Sequence, residues 1–156
     1  MAERPTRRRE MKKDASLRVL PCGCANLRRA SRAVTQLYDA HLRPTGLTTA
    51  QFTLLQTLSL AGRVTQRRLG QILVLDSTTL TRTLRPLERK GAIRRRPGED
   101  RRERQVELTP AGRKLFQAAV PFWNRAQKAV VARLGRRRWN ALLSELSMIA
   151  GLARHF

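Results

Sequence analysis

The sequence predicts a mainly α domain (α+β), six helices interrupted by one short β-hairpin, and three observations carry that prediction. Apolar residues recur at intervals of three and four along most of the chain, the spacing of amphipathic helices. Capping residues and helix stoppers separate those segments. One stretch alone, residues 93 to 109, places two short strand-like runs around a polar, Gly-containing loop.

Residues 1 to about 20 mix charge with few apolar groups and no sustained period, which reads as a flexible basic tail. From Cys24 to Leu42 the positions Leu27, Ala30, Val34, Leu37 and His41 lie at helical spacing, with Arg28, Arg29 and Arg32 elsewhere; this is the first helix. Arg43-Pro44-Thr45-Gly46 ends it, and Thr48 or Thr49 caps a second helix carrying Phe52, Leu55 and Leu58 to a stop at Gly62. Thr65 opens a short third helix with Leu69, Ile72 and Leu73, and Asp76 caps a fourth that runs to Gly91. The hairpin pairs Ile93 to Arg96 with Gln105 to Thr109 around Pro97-Gly98-Glu99-Asp100-Arg101-Arg102-Glu103. Thr109-Pro110, a cap followed by a first-turn proline, opens a long helix with Leu115, Ala119, Phe122, Ala126 and Val130, which Pro121 should kink. The last helix, from about Arg136 to Arg154, lines up Trp139, Leu142, Leu143, Leu146, Ile149 and Ala153 on one stripe. That order is a winged helix-turn-helix set between flanking helices, and the stripes of the flanking helices need a partner.

Charge narrows the function. Lys and Arg number 33 against 11 Asp and Glu, a formal net charge of +22. Clustered cations attract phosphate and release its condensed counterions, so nucleic acid is the first partner expected and an anionic membrane the second. The chain has no apolar run long enough to span a membrane and no apolar stretch after its basic N-terminal residues, so the expected location is cytoplasmic, with no membrane partner.

The fourth helix is two-sided. At about 100° per residue, Leu80, Leu84 and Leu87 share one side, and Thr78, Arg82, Arg85 and Arg89 the other. Arg bonds guanine O6 and N7 bidentately and Thr meets bases or phosphates, so the second face suits a DNA major groove, with Ser77, Thr78 and Thr79 nearest the bases and Thr81 beside them. A merely solvated charged face is the plainer alternative for such a helix. The hairpin argues against it: Arg94, Arg95 and Arg96 precede the turn and Arg101, Arg102 and Arg104 follow, opposed by Glu99, Asp100 and Glu103. Such a wing suits phosphates or a narrow minor groove. Asp100 is assigned an organising role, pairing with a neighbouring Arg and holding it in position.

These residues resemble the MarR family of bacterial regulators. The likeness lies in Gly46-Leu47-Thr48 with Gln51 and Phe52, in Leu69-Gly70, and in Asp76-Ser77-Thr78-Thr79-Leu80-Thr81-Arg82. It continues through Leu87-Glu88-Arg89-Lys90-Gly91, Asp100-Arg101-Arg102 and Leu108-Thr109-Pro110-Ala111-Gly112, and spans residues 24 to 156. The resemblance implies one domain over 21–156, with a winged helix-turn-helix at about 47–112 and dimerisation helices at about 21–44 and 113–156. It also implies a homodimer whose two lobes read a pseudo-palindromic, double-stranded operator about one DNA turn apart, and a repressor released by a small-molecule inducer or by cysteine oxidation. The basic tail and Cys22-Gly23-Cys24 depart from the commonest pattern of the family.

Cys22 and Cys24 are candidate redox or soft-metal sensors, since thiolates near cations react readily, and Arg28 and Arg29 are close in sequence. The competing reading is a pair of small apolar residues pointing about 200° apart on a helix; an extended segment would instead permit a bridge between subunits. His41 reads as a packed ring, and Tyr38, Phe52, Trp123 and Trp139 as core or interface. No phosphate-cradling loop, zinc-spaced ligand set or nucleophile–base motif is present, so no catalysis, metal or cofactor is expected. The rival class is a non-specific nucleic-acid-binding or chromosome-architectural protein, for which charge alone suffices.

Overall fold

The computed structural model describes residues 21–98 and 103–152. The N-terminal tail and the wing-tip residues Glu99, Asp100, Arg101 and Arg102 lie outside the described residues. The chain divides between Val34 and Thr35 into two compact units.

Helix α1 spans Gly23–Leu42, so the division falls inside it. In the first unit the described residues are mostly exposed, Leu27 and Val34 among them. Cys22 stands just before the helix and Cys24 in its first turn, where the Asn26 amide donates to the Cys22 carbonyl at 2.9 Å.

The second unit contains helices α2 (Thr49–Ala61), α3 (Gln66–Leu73), α4 (Ser77–Arg89), α5 (Pro110–Leu134) and α6 (Arg136–Leu152), with strands β1 (Val64–Thr65), β2 (Ile93–Pro97) and β3 (Arg104–Leu108). The expected caps close most of these helices. Thr48 and Gln51 form a reciprocal capping box on α2, Thr65 accepts from the Arg68 amide on α3, and Asp76 accepts from the Thr79 amide at 2.8 Å on α4. Each such cap is worth about 1 kcal/mol. Helix α5 continues through Pro121, and α4 likewise contains Pro86.

β2 and β3 form the expected hairpin, with Ile93 opposite Leu108 and Arg94 opposite Glu107. The two-residue β1 is an addition to the sequence reading: it pairs antiparallel with β3, Val64 opposite Val106, giving a sheet of order β1-β3-β2. Two residues carry no readable periodicity, and only the tertiary pairing makes them a strand.

The core gathers Leu42, Phe52, Leu55, Leu58, Leu69, Leu80, Leu84 and Leu87 with Ile93 and Val106 of the sheet. Phe52 stacks on Trp123 with ring centroids 5.8 Å apart. A second cluster joins Tyr38, Ala126 and Val130 to half-buried Leu37, Trp123 and Trp139, and the Tyr38 hydroxyl donates to Gln127. Burial pushes the Tyr38 phenol above its ordinary pKa. His41 is half-buried, its Nδ1 in contact with the Leu37 carbonyl of the same helix at 2.8 Å. By contrast, α6 has no buried residue: Leu142, Leu143, Leu146 and Ile149 are all exposed.

The start of α5 is fixed on the turn before β2. The Thr109 hydroxyl donates to the Gly91 carbonyl at 2.6 Å and accepts from the Gly112 amide at 3.0 Å, while the Thr109 amide bonds the Ala92 carbonyl at 3.1 Å. Gly112 lies directly on this turn, where an added Cβ would be 1.8 Å from the Ala92 oxygen. Because backbone blocks the space, Gly112→Ala should destabilise the protein by about 3 kcal/mol. Urea unfolding checks this, with Gly151→Ala, which meets no atom within 4 Å, expected to leave the midpoint unchanged or raise it.

Candidate nucleic-acid interface

Burial orients α4. Leu80, Leu84 and Leu87 are at most 1% exposed, and the opposite stripe of Thr78, Arg82, Arg85 and Arg89 is exposed along the whole helix. Three leucines each contributing roughly 1.5–3 kcal/mol of burial hold the helix against rotation about its axis, so the basic face is fixed as well as exposed.

At the start of α4 the threonines have separate tasks. Ser77 and Thr78 are exposed. The Thr79 hydroxyl donates to the Asp76 carboxylate at 2.6 Å, which holds the Asp76 carboxyl below its usual range, the Thr79 amide adding to the effect. The Thr81 hydroxyl accepts from the Gln66 amide at 2.9 Å, tying α3 to α4. Both hydroxyls thus serve the helix-turn-helix itself, while Ser77, Thr78, Arg82 and Arg85 stand free of such bonds among the described residues. Arg67 and Arg68, in the first turn of α3, are also exposed. The sequence reading passed over them; their signal is basic charge where the helix dipole disfavours it.

The wing root is organised by two carboxylates. Glu107 accepts from Arg94 Nη2 at 2.6 Å and Arg63 Nε at 2.9 Å, with Arg96 Nε at 3.6 Å. The bonds from Arg94 and then Arg63 hold its carboxyl below the ordinary value. Glu88 of α4 accepts from Arg95, which lowers the Glu88 carboxyl and raises the Arg95 guanidinium. Strand alternation explains the division: Arg94 and Arg96 share the solvent face with Glu107, whereas Arg95 lies on the face of Ile93 and turns toward α4. Neither carboxylate was singled out from the sequence, because Arg63 and Glu107 are 44 residues apart and meet only through β1. Arg104 is exposed at the far end of β3. Asp100, Arg101 and Arg102 lie outside the described residues, and Cys22 and Cys24 are exposed free cysteines.

The MarR family model matches residues 47–103. An organic hydroperoxide resistance transcriptional regulator of Bacillus subtilis is 36% identical over 98 residues, which cover 62% of this chain and 67% of the relative. YwoH, an uncharacterised helix-turn-helix regulator of the same organism, is 33% identical over 91 residues, 58% of this chain and 66% of the relative. Among solved structures, the M. tuberculosis transcriptional regulator MosR, crystallised with DNA, aligns at a TM-score of 0.77 with 37% identity, over 86% of this chain and 97% of that one. A buried leucine stripe behind a basic helix, a three-stranded wing and these relatives lead to one conclusion: the chain belongs to the MarR family of transcriptional regulators.

Proposed function

We propose that the protein is a cytoplasmic, sequence-specific DNA-binding regulator that acts as a homodimeric repressor on a pseudo-palindromic operator. The observation that carries this reading is the fixed, exposed stripe of Thr78, Arg82, Arg85 and Arg89 on α4. In this reading Ser77, Thr78, Arg82 and Arg85 meet base edges, Thr79 and Thr81 set the helix in place, and Arg101, Arg102 and Arg104 meet phosphates or the minor groove with Asp100 organising them. The MosR complex with DNA supports the class of partner. Charge supports the affinity, since many phosphate contacts come with an excess of this size.

Binding to the protein's own upstream intergenic DNA should exceed binding to scrambled DNA by at least about 10³-fold. Arg82→Ala should cost about 1–3 kcal/mol and relax the preference at one position in a randomised-site selection; an unaltered preference would remove Arg82 from base reading. Equal, salt-limited binding to every DNA would favour the architectural reading, which the net charge of +22 alone supports.

The homodimer is supported by α6, whose stripe of Leu142, Leu143, Leu146 and Ile149 stays 37–45% exposed within the described chain. Leu143→Glu combined with Leu146→Glu should convert a dimer to a monomer in sedimentation at micromolar concentration. A variant that sediments with the wild type would end this assignment.

Release of the operator is assigned to a small-molecule inducer or to Cys22 and Cys24. Both thiols are exposed, and Arg28 follows Cys24 by four residues in the sequence, which supports access by an oxidant. In the thiol route two cysteines give two electrons and two protons to a hydroperoxide, forming a disulfide, water and the corresponding alcohol. Hydroperoxide should weaken operator binding in the wild type and leave Cys22→Ser and Cys24→Ser unaffected; equal loss in all three would place the effect elsewhere.

A further inference from the structure

We propose that Val74, in the turn between α3 and α4, is a specificity-determining residue that places its side chain against the 5-methyl group of a thymine. The assignment rests on the proposed reading of bases by the start of α4, and it adds a residue that lies outside that helix.

The backbone singles out Val74. Its φ of 52° and ψ of 47° are left-handed, and among the described residues no other non-glycine has a positive φ. Helix α3 ends there: the Val74 amide donates to the Gly70 carbonyl, and the Leu75 amide donates to the same carbonyl at 2.9 Å. Helices often stop in this way, and glycine is the usual residue at the left-handed position, because a Cβ there crowds the following carbonyl oxygen. Branching at Cβ makes valine one of the least suitable residues for it. The turn thus keeps a strained side chain where a bare Cα would suffice for the chain to turn.

The core does not account for that side chain. Leu73 and Leu75, on either side, are partly buried against the core, whereas Val74 is 54% exposed. An isopropyl group gains hydrophobic free energy only when something covers it, so the cover must come from outside the chain. Position in the fold identifies the partner. Ser77 is three residues further on, at most about 10 Å away, and a DNA major groove is about 12 Å wide; a groove that receives Ser77 and Thr78 therefore has Val74 within it or at its wall. Charge identifies the kind of contact. Residues 69–81 contain no Lys or Arg, although the chain has 33. Their one carboxylate, Asp76, is engaged by the Thr79 amide and hydroxyl. This stretch has no cation to pair with a phosphate. The 5-methyl of thymine is the apolar group that base pairs present in the major groove, and Val74 is the exposed apolar residue nearest in sequence to the start of α4.

Replacing single thymines of the upstream DNA by deoxyuridine removes the methyl group and keeps the base pair. Fluorescence anisotropy with the full chain should find one thymine per half-site whose replacement weakens wild-type binding about fourfold, the effect of one buried methyl. Val74→Ala and Val74→Gly should bind the thymine and deoxyuridine DNAs equally. Leu60→Ala, which alters another exposed leucine at the end of α2, should retain the wild-type response. In urea, Val74→Gly should unfold at the wild-type midpoint or above it, since the strain is relieved; a lowered midpoint would assign the side chain to internal packing and overturn the proposal. No response to any deoxyuridine, or an undiminished response in Val74→Ala, also overturns it. A response that persists in Val74→Ala and disappears in Thr78→Ser gives the methyl contact to Thr78 instead. Upstream DNA bound no better than scrambled DNA removes the proposed function and this contact together, whereas a retained preference with no thymine response removes the contact alone.

Discussion

The burial of Leu80, Leu84 and Leu87 is the contact on which the rest depends. Those side chains reach the same core as Phe52, Leu55, Leu69 and Val106, and so bind α4 to α2, α3 and the sheet at once. Desolvation of one face determines which way the other must point. A basic helix without that stripe would present its arginines in every direction, and no single geometry toward a groove would result.

Carboxylates are scarce in this chain, and the structure places several where they govern position. Asp76 caps the start of α4 and engages Thr79, Glu88 holds Arg95 against α4, and Glu107 gathers Arg63 and Arg94 at the wing root. Each is at least partly exposed, so its contribution to stability is screened by solvent. Their importance is directional: they set where guanidinium groups lie in a protein whose cations otherwise repel one another. Arg82, Arg85 and Arg113 are exposed and have no carboxylate partner among the described residues.

Close backbone contact complements this electrostatic ordering. Gly112 rests on the Ala92 carbonyl, and Thr109 bonds both sides of the same turn, so the first turn of α5 and the turn that leads into β2 are fixed to each other. The turn is also the link between α4 and the wing. One short segment, Gly91 to Ala92, thereby transmits position among the three elements that border the candidate interface.

The helices and their caps were legible in the sequence because they are local: Thr48, Thr65, Asp76 and Thr109 act on amides two or three residues away, and apolar spacing repeats within each helix. The two faces of α4 were legible for the same reason, and so was the hairpin, whose strands are joined by one loop. What the tertiary structure alone decided involves residues far apart. It made a strand of Val64 and Thr65 by pairing them with β3, it brought Arg63 to Glu107, and it engaged Thr81 with Gln66. It also left the α6 stripe partly exposed within the described chain. A periodicity reports which side of an element is apolar; which distant groups meet across that side depends on packing, and packing is a property of the folded chain.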